Sequence, residues 1–121
     1  MTTNKFERDL LRGSLDLMLL SVLAGGKKYG YLLQREVREA SGGRVDLQAG
    51  TLYPLLHRLE ADDLIRSSWD ESTGRKRKWY ELTPAGGRRL RAQAAEWTDY
   101  ADCIRQLLVV ARVQPRLGAG G

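Results

Sequence analysis

The sequence predicts a mainly α-helical fold with one small β-hairpin, closed by a long C-terminal helix. Three observations carry this. Apolar residues recur at three- and four-residue spacing through three successive stretches that end near Asp62. The pattern then changes to two short runs rich in Ile, Trp and Tyr on either side of a basic loop. Helical spacing returns after Thr83-Pro84 and continues to about Val113. Three helices followed by a hairpin with a basic tip is the arrangement of a winged helix-turn-helix.

A chain of 121 residues suits one modest core. The expected organisation is a winged-helix domain over residues 7–83, a helix over 84–113 and a disordered tail over 114–121, where Gly and Pro dominate. Twenty Lys and Arg face 15 Asp and Glu, and the resulting charge of +5 favours nucleic acid or another anionic partner. Cys103 is the only cysteine, which excludes an internal disulfide. Met1 to Asp9 carries charges of both signs, unlike a signal peptide. The longest apolar stretch, Leu17 to Ala24, is interrupted by Ser21 and too short to span a bilayer. A cytoplasmic protein with no membrane partner is therefore expected.

The first helix is expected from Glu7 to Ala24, with Leu11, Leu15, Leu19, Val22 and Leu23 on one stripe. Leu10, Leu17 and Leu20 lie outside that stripe, so the helix is apolar on a second side and needs a second partner, expected to be another subunit. Gly25 and Gly26 end it. A second helix is expected from Tyr29 to Ala40, with Tyr29, Leu32, Leu33 and Val37 inward, broken by Ser41-Gly42-Gly43. The third, about Ala49 to Asp62, buries Leu52, Leu55, Leu56 and Leu59. Its start has two solutions. With Thr51 as cap, Pro54 sits in the first turn, where its missing N–H is not needed; an earlier start implies a local kink.

Leu64 to Trp69 and Lys78 to Leu82 read as strands around the turn Ser72-Thr73-Gly74. Thr83 then caps a helix with Pro84 at its first position. At ~1.5 Å per residue that last helix is roughly 45 Å long, more than a small domain covers. Leu90, Trp97, Ile104 and Ala111 are spaced by seven, with Ala94, Ala101 and Leu108 interleaved. This is a seam for packing helix on helix, and it predicts a homodimer.

In a winged helix the third helix enters the major groove and the hairpin tip touches backbone or minor groove. With the four leucines inward, Gly50, Pro54, His57 and Ala61 face out, flanked by Thr51, Tyr53 and Arg58. Thr51, Tyr53, Pro54 and His57 are thus candidate DNA contacts, and Arg58 is a candidate for guanine edges or a phosphate. The plainer reading is an ordinary exposed helix face. Arg75, Lys76, Arg77 and Lys78 form a basic run at the hairpin tip, placed to meet phosphates, although strand alternation turns some of them back along the hairpin. Lys27 and Lys28 are further candidate phosphate contacts.

Leu10, Leu17, Leu90, Trp97, Ala101, Ile104 and Leu108 are the candidate dimer interface. Trp97 either fills the seam or, with its partner-chain copy, flanks a small planar aromatic effector, with Leu10 and Leu17 as candidate lining. Cys103 beside the seam is either inert or open to an intersubunit disulfide or redox sensing. Catalysis, cofactor and metal are not expected. His57 is the only histidine, and Asp62-Asp63 and Asp70-Glu71 are adjacent pairs that point in different directions. No metal-ligand cluster, phosphate-cradling loop or nucleophile elbow is present.

The stretches LLRGSLDLMLLSVL, YGYLLQREV, GTLYPLLHRLEADDLI and GRKRKWYELTPAG resemble the PadR-type transcriptional regulators over about residues 10 to 110. The most specific pieces are Gly50-Thr51-Leu52-Tyr53-Pro54, Leu59-Glu60 and the Tyr80 to Gly86 segment. The resemblance implies a winged helix, a dimer held by the C-terminal helix with the first helix against the partner, and repression at a palindromic operator. The single C-terminal helix resembles the short subgroup that includes multidrug-sensing repressors. In those, a tryptophan of this helix lines a pore at the dimer centre and stacks on flat aromatic drugs, and Trp97 matches it. Two departures stand out. Asp63 occupies a position where the family usually has glycine, so it adopts an unusual backbone angle or the turn differs. An acidic partner for a cationic drug is not evident on the seam, with Asp99 and Asp102 beside it. The competing function classes are a protein-interaction module and a nonspecific chromosome-binding protein.

Overall fold

The computed structural model describes the backbone of residues 5–112 and the side chains of residues 13–112. The elements are α1 (Lys5–Leu23), β1 (Lys28–Tyr29), α2 (Gly30–Ala40), α3 (Ala49–Ala61), β2 (Ile65–Asp70), β3 (Arg77–Leu82) and α4 (Pro84–Val110). They form two compact units, one running to Leu90 and one starting at Arg91. The tail over 114–121 and the side chains of Leu10 and Leu11 lie outside the described residues.

The first unit is built on leucine. Leu19, Leu20 and Leu23 of α1 meet Leu33 and Val37 of α2, and Leu52, Leu55, Leu56 and Leu59 of α3, with Leu64 just before β2 and Ile65 and Tyr80 from the sheet. Each such side chain, once withdrawn from water, contributes about 1.5–3 kcal/mol. Leu20 was expected on a second apolar side of α1 facing another subunit. It is fully buried in this same core, because α1 is covered by both α2 and β3 of its own chain.

The second helix begins one residue later than its spacing suggests. Tyr29 is extended (φ −88°, ψ 163°) and pairs with Trp79, and Lys28 pairs with Tyr80. The expected two-stranded hairpin is therefore a three-stranded antiparallel sheet in the order β1-β3-β2. In α3 the two starts considered for the sequence resolve to the earlier one. Thr51 and Leu52 both donate to the carbonyl of Gln48, which is the cap, so Pro54 lies inside the helix. Its ring leaves the Gly50 carbonyl without an intrahelical donor. Both residues are exposed, so water can take that place.

Helix α3 ends in a Schellman motif. Leu64 N–H donates to the Leu59 carbonyl at 3.0 Å and Asp63 N–H to the Glu60 carbonyl at 3.0 Å. Asp63 holds the left-handed position between them at φ 59°. Asp63→Gly is expected to raise the unfolding free energy by up to about 1 kcal/mol, read as a higher urea midpoint, because glycine enters that region without a Cβ clash. An unchanged or lower midpoint would mean that the aspartate side chain stabilises the turn. Downstream, Thr83 caps α4 as its sequence suggests: Gly86 N–H donates to Thr83 Oγ1 at 2.9 Å, with Pro84 at the first helical position. The hydroxyl in turn donates to the Asp63 carbonyl at 2.6 Å, which ties the start of α4 to the end of α3.

Candidate nucleic-acid interface

The exposed face of α3 is the one its spacing gives. Leu52, Leu55, Leu56 and Leu59 are buried, while Gly50, Thr51, Tyr53, Pro54, His57 and Ala61 are exposed. Tyr53 is positioned by Gly30 at the start of α2. A Cβ built on Gly30 would stand 2.6 Å from the Tyr53 hydroxyl oxygen and 3.2 Å from its ring, so only glycine leaves room for the phenol to lie over the α2 terminus.

Two residues expected to contact DNA also have partners within the chain. Arg58 makes a fork with Asp16 of α1, Nη1 to Oδ2 at 3.0 Å and Nη2 to Oδ1 at 2.6 Å. Asp16 is a buried carboxylate in an otherwise apolar face, which would be costly without a cation, and the hydrogen bond to it holds the Arg58 guanidinium above its ordinary pKa. Lys28 is likewise turned to Glu36, at 3.4 Å, with its side chain mostly buried. One signal was available for the first pair: Asp16 is the lone acid among Leu15, Leu17, Met18, Leu19 and Leu20.

The hairpin keeps its cations near the surface and rests most of them on aromatic rings. Asp70 closes the turn by accepting from Ser72 N–H at 2.9 Å, which with the Ser72 side chain holds the Asp70 carboxyl below its ordinary range. Gly74 takes φ +79° at the tip. On one face of β3, the Arg77 guanidinium lies 4.8 Å from the centre of the Tyr29 ring. Tyr29 packs edge-on against Trp79 at 5.2 Å, and Lys27 stands 5.7 Å over Trp79. On the other face, Lys76 and Lys78 approach Trp69 at 4.8 and 5.8 Å, and Lys78 also stands 5.8 Å from Tyr80. Burial, then Tyr53 and Glu60, raises the Tyr80 phenol above its usual pKa. Arg75 and Lys76 are exposed, whereas Arg77 and Lys78 are half-buried. Tyr29 was missed as a partner because β1, which supplies it, is two residues long and leaves no periodic trace.

Leu90, expected at the head of the dimer seam, packs against the core of the first unit, since the opening turns of α4 belong to that unit. Leu17 is half-buried and lines an open apolar groove between α1 and α2 with Met18, Val22, Val37 and Ala40. In the second unit, Trp97 and Ile104 are exposed and Ala101 and Leu108 half-buried. Tyr100 and Leu107, absent from the expected seam, are exposed as well, and Tyr100 stands edge-on to Trp97 at 6.2 Å. Cys103 is an exposed free thiol. Among the described residues, no group of His, Cys, Asp and Glu could hold a metal ion, and no helix is long and apolar enough to cross a membrane.

Residues 19–92 match the model of the transcriptional regulator PadR-like family. The chain is similar to the transcriptional regulator Rv3488 of Mycobacterium tuberculosis, with 42% identity over 79 residues, 65% of this chain and 71% of the relative. A PadR family transcriptional regulator from Eggerthella lenta superposes with a TM-score of 0.71 at 37% identity, covering 83% of this chain and 86% of that one. A transcriptional regulator from Clostridium thermocellum superposes with a TM-score of 0.73 at 31% identity, covering 81% and 96%.

Proposed function

This chain belongs to the PadR-like family of transcriptional regulators, and from that premise we propose that it is a dimeric repressor of a palindromic operator, acting in the cytoplasm. DNA-binding regulation of transcription comes with the family. The observation that carries the finer reading is the pairing, on one compact unit, of the exposed α3 face with a hairpin tip of four consecutive cations. A dimer presents two such units to half-sites about one helical turn apart. Support for the dimer comes from Trp97, Tyr100, Ile104 and Leu107, large apolar side chains exposed at helical spacing along α4. A small planar aromatic effector between two copies of Trp97, with Leu17 as further lining, would shift the population away from the DNA-fitting spacing and relieve repression.

The test is fluorescence anisotropy with the duplex upstream of the protein's own gene, beside a scrambled duplex, at two salt concentrations. Preference for the native duplex, with affinity falling steeply in salt, is expected. Equal affinity for both would favour nonspecific chromosome binding, and no binding by a folded dimer at low salt would favour a protein-interaction module. Flat aromatic compounds added to the complex are expected to release the DNA, and Trp97→Ala to blunt that release. If release and compound affinity survive Trp97→Ala unchanged, the effector site is not there.

A further inference from the structure

We propose that Trp69 is itself a DNA contact. Its indole lies against the deoxyribose wall of the duplex, between phosphates neutralised by Lys76 and Lys78. This rests on the reading of the hairpin as a DNA-contacting wing and adds to it a non-ionic contact.

Strand alternation and the register put Trp69 on the same face as Ile65 and Tyr80, with Lys78 directly opposite. Ile65 and Tyr80 are buried beneath that face, yet Trp69 is 59% exposed. A large apolar side chain thus stands open near the end of β2, with two ammonium groups at 4.8 and 5.8 Å from its ring centre. The two carboxylates beside it do not cancel them. Asp70 falls on the opposite face and is engaged by Ser72, and Glu71 is exposed in the turn. The other hairpin tryptophan behaves differently: Trp79 is half-buried under Tyr29 and Lys27. An apolar plate flanked by cations matches the alternation of sugar and phosphate along a DNA strand, which presents C–H surface between its anionic oxygens. Such a contact reads no base and is the same on any sequence.

Two measurements test it. In a Trp79→Phe, Trp97→Phe background, Trp69 is the only tryptophan, and acrylamide quenching of its emission is measured with and without the upstream duplex. Binding is expected to shield it and lower the quenching constant several-fold. In the otherwise natural chain, Trp69→Ala is expected to weaken binding to the native and scrambled duplexes by the same factor, about tenfold, with Trp69→Phe restoring most of it. Because the indole neutralises no phosphate, plots of log affinity against log salt should stay parallel. A shallower slope would mean that Trp69 only positions the lysines, which overturns the direct contact. Wild-type affinity in Trp69→Ala, or an unchanged quenching constant, overturns it too while leaving DNA binding in place. Failure of the natural chain to bind either duplex would instead sink the wing reading, and this proposal with it.

Discussion

Replacing Gly86 by alanine is expected to lower the unfolding free energy by at least about 3 kcal/mol. Gly86 is buried in the first turn of α4, where a Cβ would overlap the Leu64 carbonyl oxygen and stand 2.9 Å from both the Leu64 carbonyl carbon and Leu82 Cδ1. The obstacle is mostly backbone, and that backbone is already committed. The same Leu64 oxygen accepts from Thr83 N–H at 3.1 Å, and Thr83 Oγ1 bridges Asp63 and Gly86. Retreat of α4 would break this corner. Alanine's higher helix propensity favours the variant by only about 1 kcal/mol, so the clash decides the sign. Urea denaturation monitored by circular dichroism measures it. A midpoint equal to that of the natural chain would show that α4 does not press on the β2 entry as closely as described.

The second large effect is on DNA. Changing Arg75, Lys76 and Arg77 together to glutamine is expected to weaken binding about a hundredfold near 0.15 M salt, and to reduce the slope of log affinity against log salt by about 2 to 3. The fold should tolerate the change. Arg75 and Lys76 are exposed at the tip and Arg77 opens β3, and the stacking of Lys76 on Trp69 and Arg77 on Tyr29 is worth about 0.5–1 kcal/mol apiece at such sites. Anisotropy at several salt concentrations, beside a thermal melt, separates the two. Unchanged affinity and slope in a folded variant would remove the wing from the interface and favour the protein-interaction reading.

What could be read from the sequence followed local rules. The four inward leucines of α3 and the Thr83-Pro84 start of α4 each depend on neighbours a few residues away, and each is found as expected; of the two outcomes the resemblance left open at Asp63, the unusual backbone angle is the one found. The features that escaped depend on distant partners. Arg58 and Asp16 are 42 residues apart, and no periodicity links them. Leu20 has the spacing of an interface residue, but the chain covers it itself through α1's two neighbours. Pro54 inside α3 shows the converse limit. A rule against proline in helices fails where the orphaned carbonyl faces water.

The Asp16–Arg58 fork also divides the surface of α3 by how freely it can vary. Thr51 and His57 are exposed, so exchanging them leaves the leucine core of the scaffold intact. Arg58, next to His57 on the same helix, is less free to change. Losing it alone strands a buried carboxylate, and losing Asp16 alone leaves the cation without its partner, so a change at either position alone is costly. A lineage that swaps both for an apolar pair would gain a helix held by packing alone. A lineage that kept only the arginine would free it for another partner, at the expense of the link between its first and third helices.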